Sequence, residues 1–79
     1  MYIQIYNQSN YNVRTSQPIY GAEDINYSIP PKSKITIYSE SGKKLNIQRD
    51  GCKRSFGLMT GPDLNDIIVT EEGEVKTKN

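Results

Sequence analysis

Asp63 and Asp66 are the side chains whose types and spacing come nearest to catalytic equipment, because two carboxylates flanking a short loop could share acid–base work on a glycoside. A chain of 79 residues offers little concavity in which to give two carboxylates different environments, so the simpler role is that of solvated loop carboxylates. Pro62 and Leu64 beside them could open a single helical turn that Asp63 caps. Cys52, next to Gly51 and Lys53, is the one candidate nucleophile, since a neighbouring cation favours the thiolate. A half-buried free thiol in a hairpin arm is the plainer reading. The sequence contains no His, which removes every Ser-His and Cys-His nucleophile pair. With a single Cys and no His, a zinc site would have to be completed by carboxylates, so no metal is expected. "SGKK", residues 41 to 44, lacks the earlier glycine and the helix of a phosphate loop. The expectation is a protein that is not an enzyme and has no cofactor.

Binding chemistry is better represented. Lys43, Lys44, Arg49, Lys53 and Arg54 crowd a short stretch that Tyr38 precedes, and cations beside an exposed ring can grip phosphates or carboxylates. Residues 32 to 54 carry a net +5 and residues 60 to 79 a net −3, against +1 for the whole chain, so the molecule is expected to be electrically dipolar. The bland alternative is a solvated face whose charges blunt sheet edges. Tyr2, Tyr6 and Tyr38 share the outward parity of their segments and have the composition of contact surfaces.

These side chains have to be placed by strands. Ile3 and Ile5 alternate with Tyr2, Gln4 and Tyr6. The same period of two joins Tyr11 to Val13, Ile25 to Tyr27 and Ile29, Ile35 to Ile37, and Leu45 to Ile47. No window has the 3–4 spacing of a helix. Strands are expected near 2–7, 10–15, 25–29, 34–39, 44–49, 52–58, 66–71 and 74–77. Turn signals stand at Ser41-Gly42, Asp50-Gly51 and Glu72-Gly73, and Pro30-Pro31 ends a strand. On this reading Lys44, Asn46 and Gln48 point outward, Lys53 and Arg54 open the strand opposite Gln48 and Arg49, and Tyr38 lies nearby. Tyr20 falls in a loop, and "KTKN" at the end frays. No internal repeat, linker or low-complexity segment is visible. The run Ile67, Ile68, Val69 breaks the alternation, so it is either a central core strand or an oligomer interface.

Residues 1 to 79 therefore read as one all-β domain, a small sandwich or partly open barrel of six to eight short antiparallel strands. A chain this small buries only about 60% of its unfolded surface, so a homo-oligomer is expected to help it. No apolar run is long enough to span a membrane and the N-terminus lacks a signal peptide, which reads as cytoplasmic. The expected function is a non-catalytic protein-binding module: an adaptor, an assembly component or a small inhibitor. Small stand-alone β-domains of this kind include those encoded by viruses and mobile elements. Its contact surface would be Tyr38, Lys43, Lys44, Arg49, Lys53 and Arg54, facing an acidic protein partner. Nucleic acid or a nucleotide on the same patch is the alternative, and a self-assembling structural subunit is the third.

Overall fold

Period-two alternation builds eight strands among the residues that the computed structural model describes, which are 2–17 and 25–78. They are β1 (Tyr2–Asn7), β2 (Val13–Gln17), β3 (Ile25–Ile29), β4 (Lys34–Tyr38), β5 (Lys44–Arg49), β6 (Phe56–Met59), β7 (Asp66–Val69) and β8 (Val75–Lys78). Two four-stranded sheets result, sheet A in the order β4-β1-β7-β8 and sheet B in the order β3-β2-β5-β6. The architecture is a sandwich and not a closed barrel. Tyr20 and Asn79 lie outside the described residues, whereas Lys76, Thr77 and Lys78 pair in register with Ile68, Ile67 and Asp66.

The core is the set of inward positions that the alternation marks: Ile3, Ile5, Val13, Ile29, Ile37, Leu45, Ile47, Ile67 and Val69, all buried. Tyr27, Ile35, Leu58, Leu64 and Val75 pack against it from the margins. Three expectations shift. The second strand begins at Val13 rather than Asn10, because the chain is still crossing between sheets at Asn10–Asn12, and Tyr11 is consequently exposed. β1 and β7 run parallel, the one departure from antiparallel pairing, since β7 returns to sheet A only after a long excursion through sheet B. Pro62 and Leu64 form a turn closed by Leu64 N–H donating to the Gly61 carbonyl at 3.1 Å, not a helical one.

The pairing also reveals a repeat. In sheet A, Gln4 sits opposite Thr36, and in sheet B, Thr15 sits opposite Ile47; each pair is 32 positions apart. A single pseudo-two-fold axis through both central pairs therefore exchanges β1-β2 with β4-β5. The sequence carries the trace: "IQIYNQS" from Ile3 and "ITIYSES" from Ile35 agree at four of seven positions. β3 and β6 follow the same exchange, with Tyr27 opposite Thr15 as Phe56 is opposite Ile47. β7 and β8 have no counterpart and break the symmetry.

Where the backbone crosses between the sheets it leaves the ladder, and side chains bond the carbonyls there. Asn7, itself buried, closes one end: its Nδ2 donates to the carbonyls of Tyr11 at 2.7 Å, Ile29 at 3.0 Å and Pro30 at 3.0 Å. Its Oδ1 accepts from Ser9 N–H at 2.9 Å and Ser9 Oγ at 2.6 Å. At the other end Thr60 Oγ1 donates to the carbonyls of Glu40 and Lys43 at 2.7 and 2.9 Å and accepts from Lys43 N–H at 3.0 Å. Asn7→Asp keeps the shape but turns the shared donor into an acceptor facing carbonyl oxygens. It is expected to lose about 3 kcal/mol at pH 7 by urea denaturation, and a loss below about 1 kcal/mol would mean those carbonyls are satisfied without it.

Thr15 is the opposite case. It is buried at the axis with its Oγ1 unpartnered, where the symmetric position holds Ile47. Thr15→Val removes an unsatisfied hydroxyl and is expected to gain about 1 kcal/mol. A loss in the same urea measurement would show that the hydroxyl is satisfied in solution.

Candidate functional site: the outer face of sheet A

The residues expected to form one basic patch go to three places. Lys44 opens β5 on the outer face of sheet B, where its stem lies over Gly57; a Cβ there would stand 2.6 Å from Lys44 Cε. Lys43 lies at the same end, in the β4–β5 connection. Arg49 ends β5, about 17 Å away at strand rise. Lys53 and Arg54 are exposed in the β5–β6 connection rather than paired with Gln48 and Arg49, because β6 begins only at Phe56, opposite Ile47. Tyr38 belongs to β4, on the outer face of the other sheet. The parity of Lys44, Asn46 and Gln48 is as expected, since Leu45 and Ile47 are buried.

Arg49 is half-buried. Its guanidinium carbon lies 4.1 Å from the Tyr11 ring centroid, and its Nε is enclosed without a hydrogen-bond partner. The acidic β7–β8 turn meets this end: a Cβ on Gly73 would stand 2.9 Å from Cys52 Sγ and 3.3 Å from Arg49 Nε. Arg14 Nε pairs with Asp50 at 3.1 Å, and Glu71 accepts from Asn10 N–H at 2.7 Å. The β7–β8 turn of the acidic segment thus meets the end of β5 in the basic one. Cys52 is a half-buried free thiol there. Asp66 is half-buried in β7 and Asp63 is exposed in the preceding turn. No group of three or more metal-ligating side chains exists among the described residues.

Contact chemistry converges instead on the outer face of sheet A. Strand register lays its outward residues in rows: Tyr38 beside Tyr2; then Thr36, Gln4, Asp66 and Lys78; then Lys34, Tyr6, Ile68 and Lys76. Tyr2 and Tyr38 are 71% and 59% exposed, yet their rings meet edge to face with centroids 5.3 Å apart. Lys34 Nζ lies 5.6 Å from the Tyr6 centroid, and Tyr6 Oη donates to Gln4 Oε1. Three lysines against one aspartate make the face cationic. At its rim, Tyr6, Asn7, Gln8, Lys32, Ser33 and Lys34 line a hollow of about 820 Å³. Lys32 holds a left-handed φ of 58° there, tied down by its own Nζ donating to the Gln8 carbonyl at 2.6 Å.

Of the run expected to be core strand or interface, Ile67 and Val69 are closed in the core and Ile68 alone reaches this face. The outward parity of Tyr2, Tyr6 and Tyr38 was legible in the sequence. Lys34, Lys76 and Lys78 were not, because only the non-local pairing of β1 with β4 and β7 brings them beside the rings.

Gly42 and Gly73 share a φ of +84°, but a Cβ meets nothing within 4 Å at Gly42 and Cys52 Sγ at Gly73. Gly42→Ala is expected to cost about 1 kcal/mol for the backbone alone, and Gly73→Ala about 2 kcal/mol or more. Equal losses in urea melts would remove the packing of the acidic turn on the β5 end. Comparison with protein-family models, with curated proteins and with solved structures finds no match for this chain.

Proposed function

We propose that the chain is a non-catalytic protein-binding module, an adaptor, assembly component or small inhibitor, that takes an acidic protein partner on the outer face of sheet A. The observation that carries this reading is the exposed Tyr2–Tyr38 pair, held in register across β1 and β4 beside Lys34. Rings fixed on strands give up little entropy on binding, and tyrosine is the residue type that contact surfaces favour. Lys34, Lys76 and Lys78 suit carboxylates on the partner and oppose the approach of a second copy to the same face. No helix among the described residues is long and apolar enough to cross a membrane.

The test is affinity capture from a lysate of the source organism with the wild-type chain and three variants of unchanged circular dichroism. Tyr2→Ala/Tyr38→Ala and Lys34→Glu/Lys76→Glu/Lys78→Glu are each expected to lose the captured protein. Lys43→Glu/Lys44→Glu/Arg49→Glu is expected to keep it. Loss with the last variant alone would return the site to the β5 hairpin. Rings beside lysines are also a stacking platform, so a single-stranded oligonucleotide is the control. A salt-sensitive shift at about 50 mM salt would replace the protein reading with a nucleic-acid one.

A further inference from the structure

The pseudo-two-fold axis makes the outer edge of β4 the counterpart of the edge of β1 that β7 occupies. We infer that β4 accepts a strand there, running parallel to it, from an acidic partner protein. This rests on the protein-binding reading of sheet A and specifies how the partner is held.

Three observations converge. The first is backbone geometry. Asn7 N–H donates to the Ser33 carbonyl at 2.8 Å, which places the odd residues of β1 in hydrogen-bonded pairs with β4. By the antiparallel alternation, Lys34, Thr36 and Tyr38 then turn their N–H and C=O groups away from β1. Among the described residues no strand pairs with that edge. On β1 the symmetric groups are occupied: Gln4 N–H donates to Asn65 O at 2.9 Å and Gln8 N–H to Val69 O at 2.9 Å. The second is incomplete burial. Ile3 is fully buried, but its counterpart Ile35 is only partly so, and Tyr38 is 59% exposed where its counterpart Tyr6 is flanked by Ile68 and half-covered. These are the marks of a missing neighbour. The third is charge. Lys32 and Lys34 stand at the end of β4 where a parallel strand would enter.

The other outer edges carry no such asymmetry. β3 and β6 are counterparts of each other and among the described residues neither pairs with a further strand, and β8 has no counterpart with which to be compared. The occupant of the β1 edge, "DIIV", also describes what the β4 edge should take. That is an extended segment with carboxylates first and branched apolar residues at the two inward positions, as Ile67 and Val69 are on β7. Main-chain bonds supply the affinity and alternate side chains the selectivity.

The experiment titrates the full chain with a peptide copied from its own residues 65 to 78, up to about 2 mM, and reads backbone amide exchange by nuclear magnetic resonance. The expected result is exchange at Thr36 and Tyr38 slowed by about tenfold or more, with Ile35 and Ile37 unchanged because they already bond to β1. Thr36→Pro removes the central outward donor at a position where an edge strand tolerates proline. It should abolish the protection while the amides of β1 and β5 keep theirs. Should Thr36→Pro unfold the chain, an N-methylated peptide that cannot donate to the edge replaces it and should fail to protect. Protection that grows with protein concentration and no peptide would make a second copy the occupant and overturn the proposal. Peptide shifts confined to Tyr2, Tyr6 and Ile68 would overturn the added strand but leave the face reading intact. No shift at about 2 mM peptide would overturn the added strand as well, while lysate capture lost with Tyr2→Ala/Tyr38→Ala would still uphold the face.

Discussion

Each time the chain passes from one sheet to the other it leaves the ladder, and the carbonyls at that point, half-buried or buried, need partners from outside it. Four such crossings occur, and two side chains serve them. Asn7 holds the β1–β2 and β3–β4 connections together by donating to Tyr11, Ile29 and Pro30, and Thr60 closes the β4–β5 connection against the end of β6 by donating to Glu40 and Lys43. An unsatisfied buried carbonyl costs about 1–3 kcal/mol, and a small domain has only about 5–15 kcal/mol to lose. The buried apolar side chains supply attraction between the sheets, but attraction of that kind has no direction. Register comes from the polar stitches. The pattern Asn7-Gln8-Ser9 that resembles a glycan acceptor is therefore an interior joint, with its amide wholly engaged.

The pseudo-two-fold arrangement explains why so little core suffices. One axis through Gln4–Thr36 and Thr15–Ile47 lets the same set of contacts form twice, with Ile3, Ile5 and Val13 repeated as Ile35, Ile37 and Leu45. The repetition is imperfect where it is most informative. Thr15 stands in the core where Ile47 stands across the axis, which leaves a hydroxyl unpartnered. Asn7 is answered by Ser39, whose Oγ accepts from Gln17 Nε2 and donates to the Glu40 carbonyl, so the two ends are held by different chemistry.

Much of this was readable in the residues. Alternation at Ile3/Ile5, Ile35/Ile37 and Leu45/Ile47 locates strands and inward faces, because a period of two is a local property that survives any tertiary arrangement. Glycines 42, 51 and 73 do adopt positive φ at the expected turns. What local signals cannot convey is which strand lies next to which. Ser41-Gly42 looks like a hairpin but carries the chain between sheets, so Lys43 and Tyr38 part company. The three residues before Val13 keep a period of two while crossing, which gave Tyr11 the wrong side. Asp50-Gly51 is a true turn within a longer connection, so Lys53 and Arg54 stay out of the ladder. The repeat is not legible in the residues because its likeness is confined to a short stretch around "IxIY"; only the shared register in two sheets makes it significant.

A duplicated β-unit has two equivalent edges, and each is a liability until something covers it. In this chain β7 and β8 cover one of them, delivering Ile67 and Val69 to the core and Ile68 to the outer face. The segment that a local reading leaves between core strand and interface, "DIIV", is a core strand that docks on β1 within the chain as an interface strand would between chains. Its chemistry shows what such an edge requires: two branched side chains inward, a carboxylate at the entry and main-chain bonds throughout. The edge of β4 has a half-buried Ile35 on its inward side, Lys32 and Lys34 at its entrance, and the exposed Tyr38 on its outer side. Cations at that entrance disfavour a second copy arriving with its own lysines and favour an acidic segment. The asymmetry left by β7 and β8 is therefore what sets the β4 edge apart from its covered counterpart on β1.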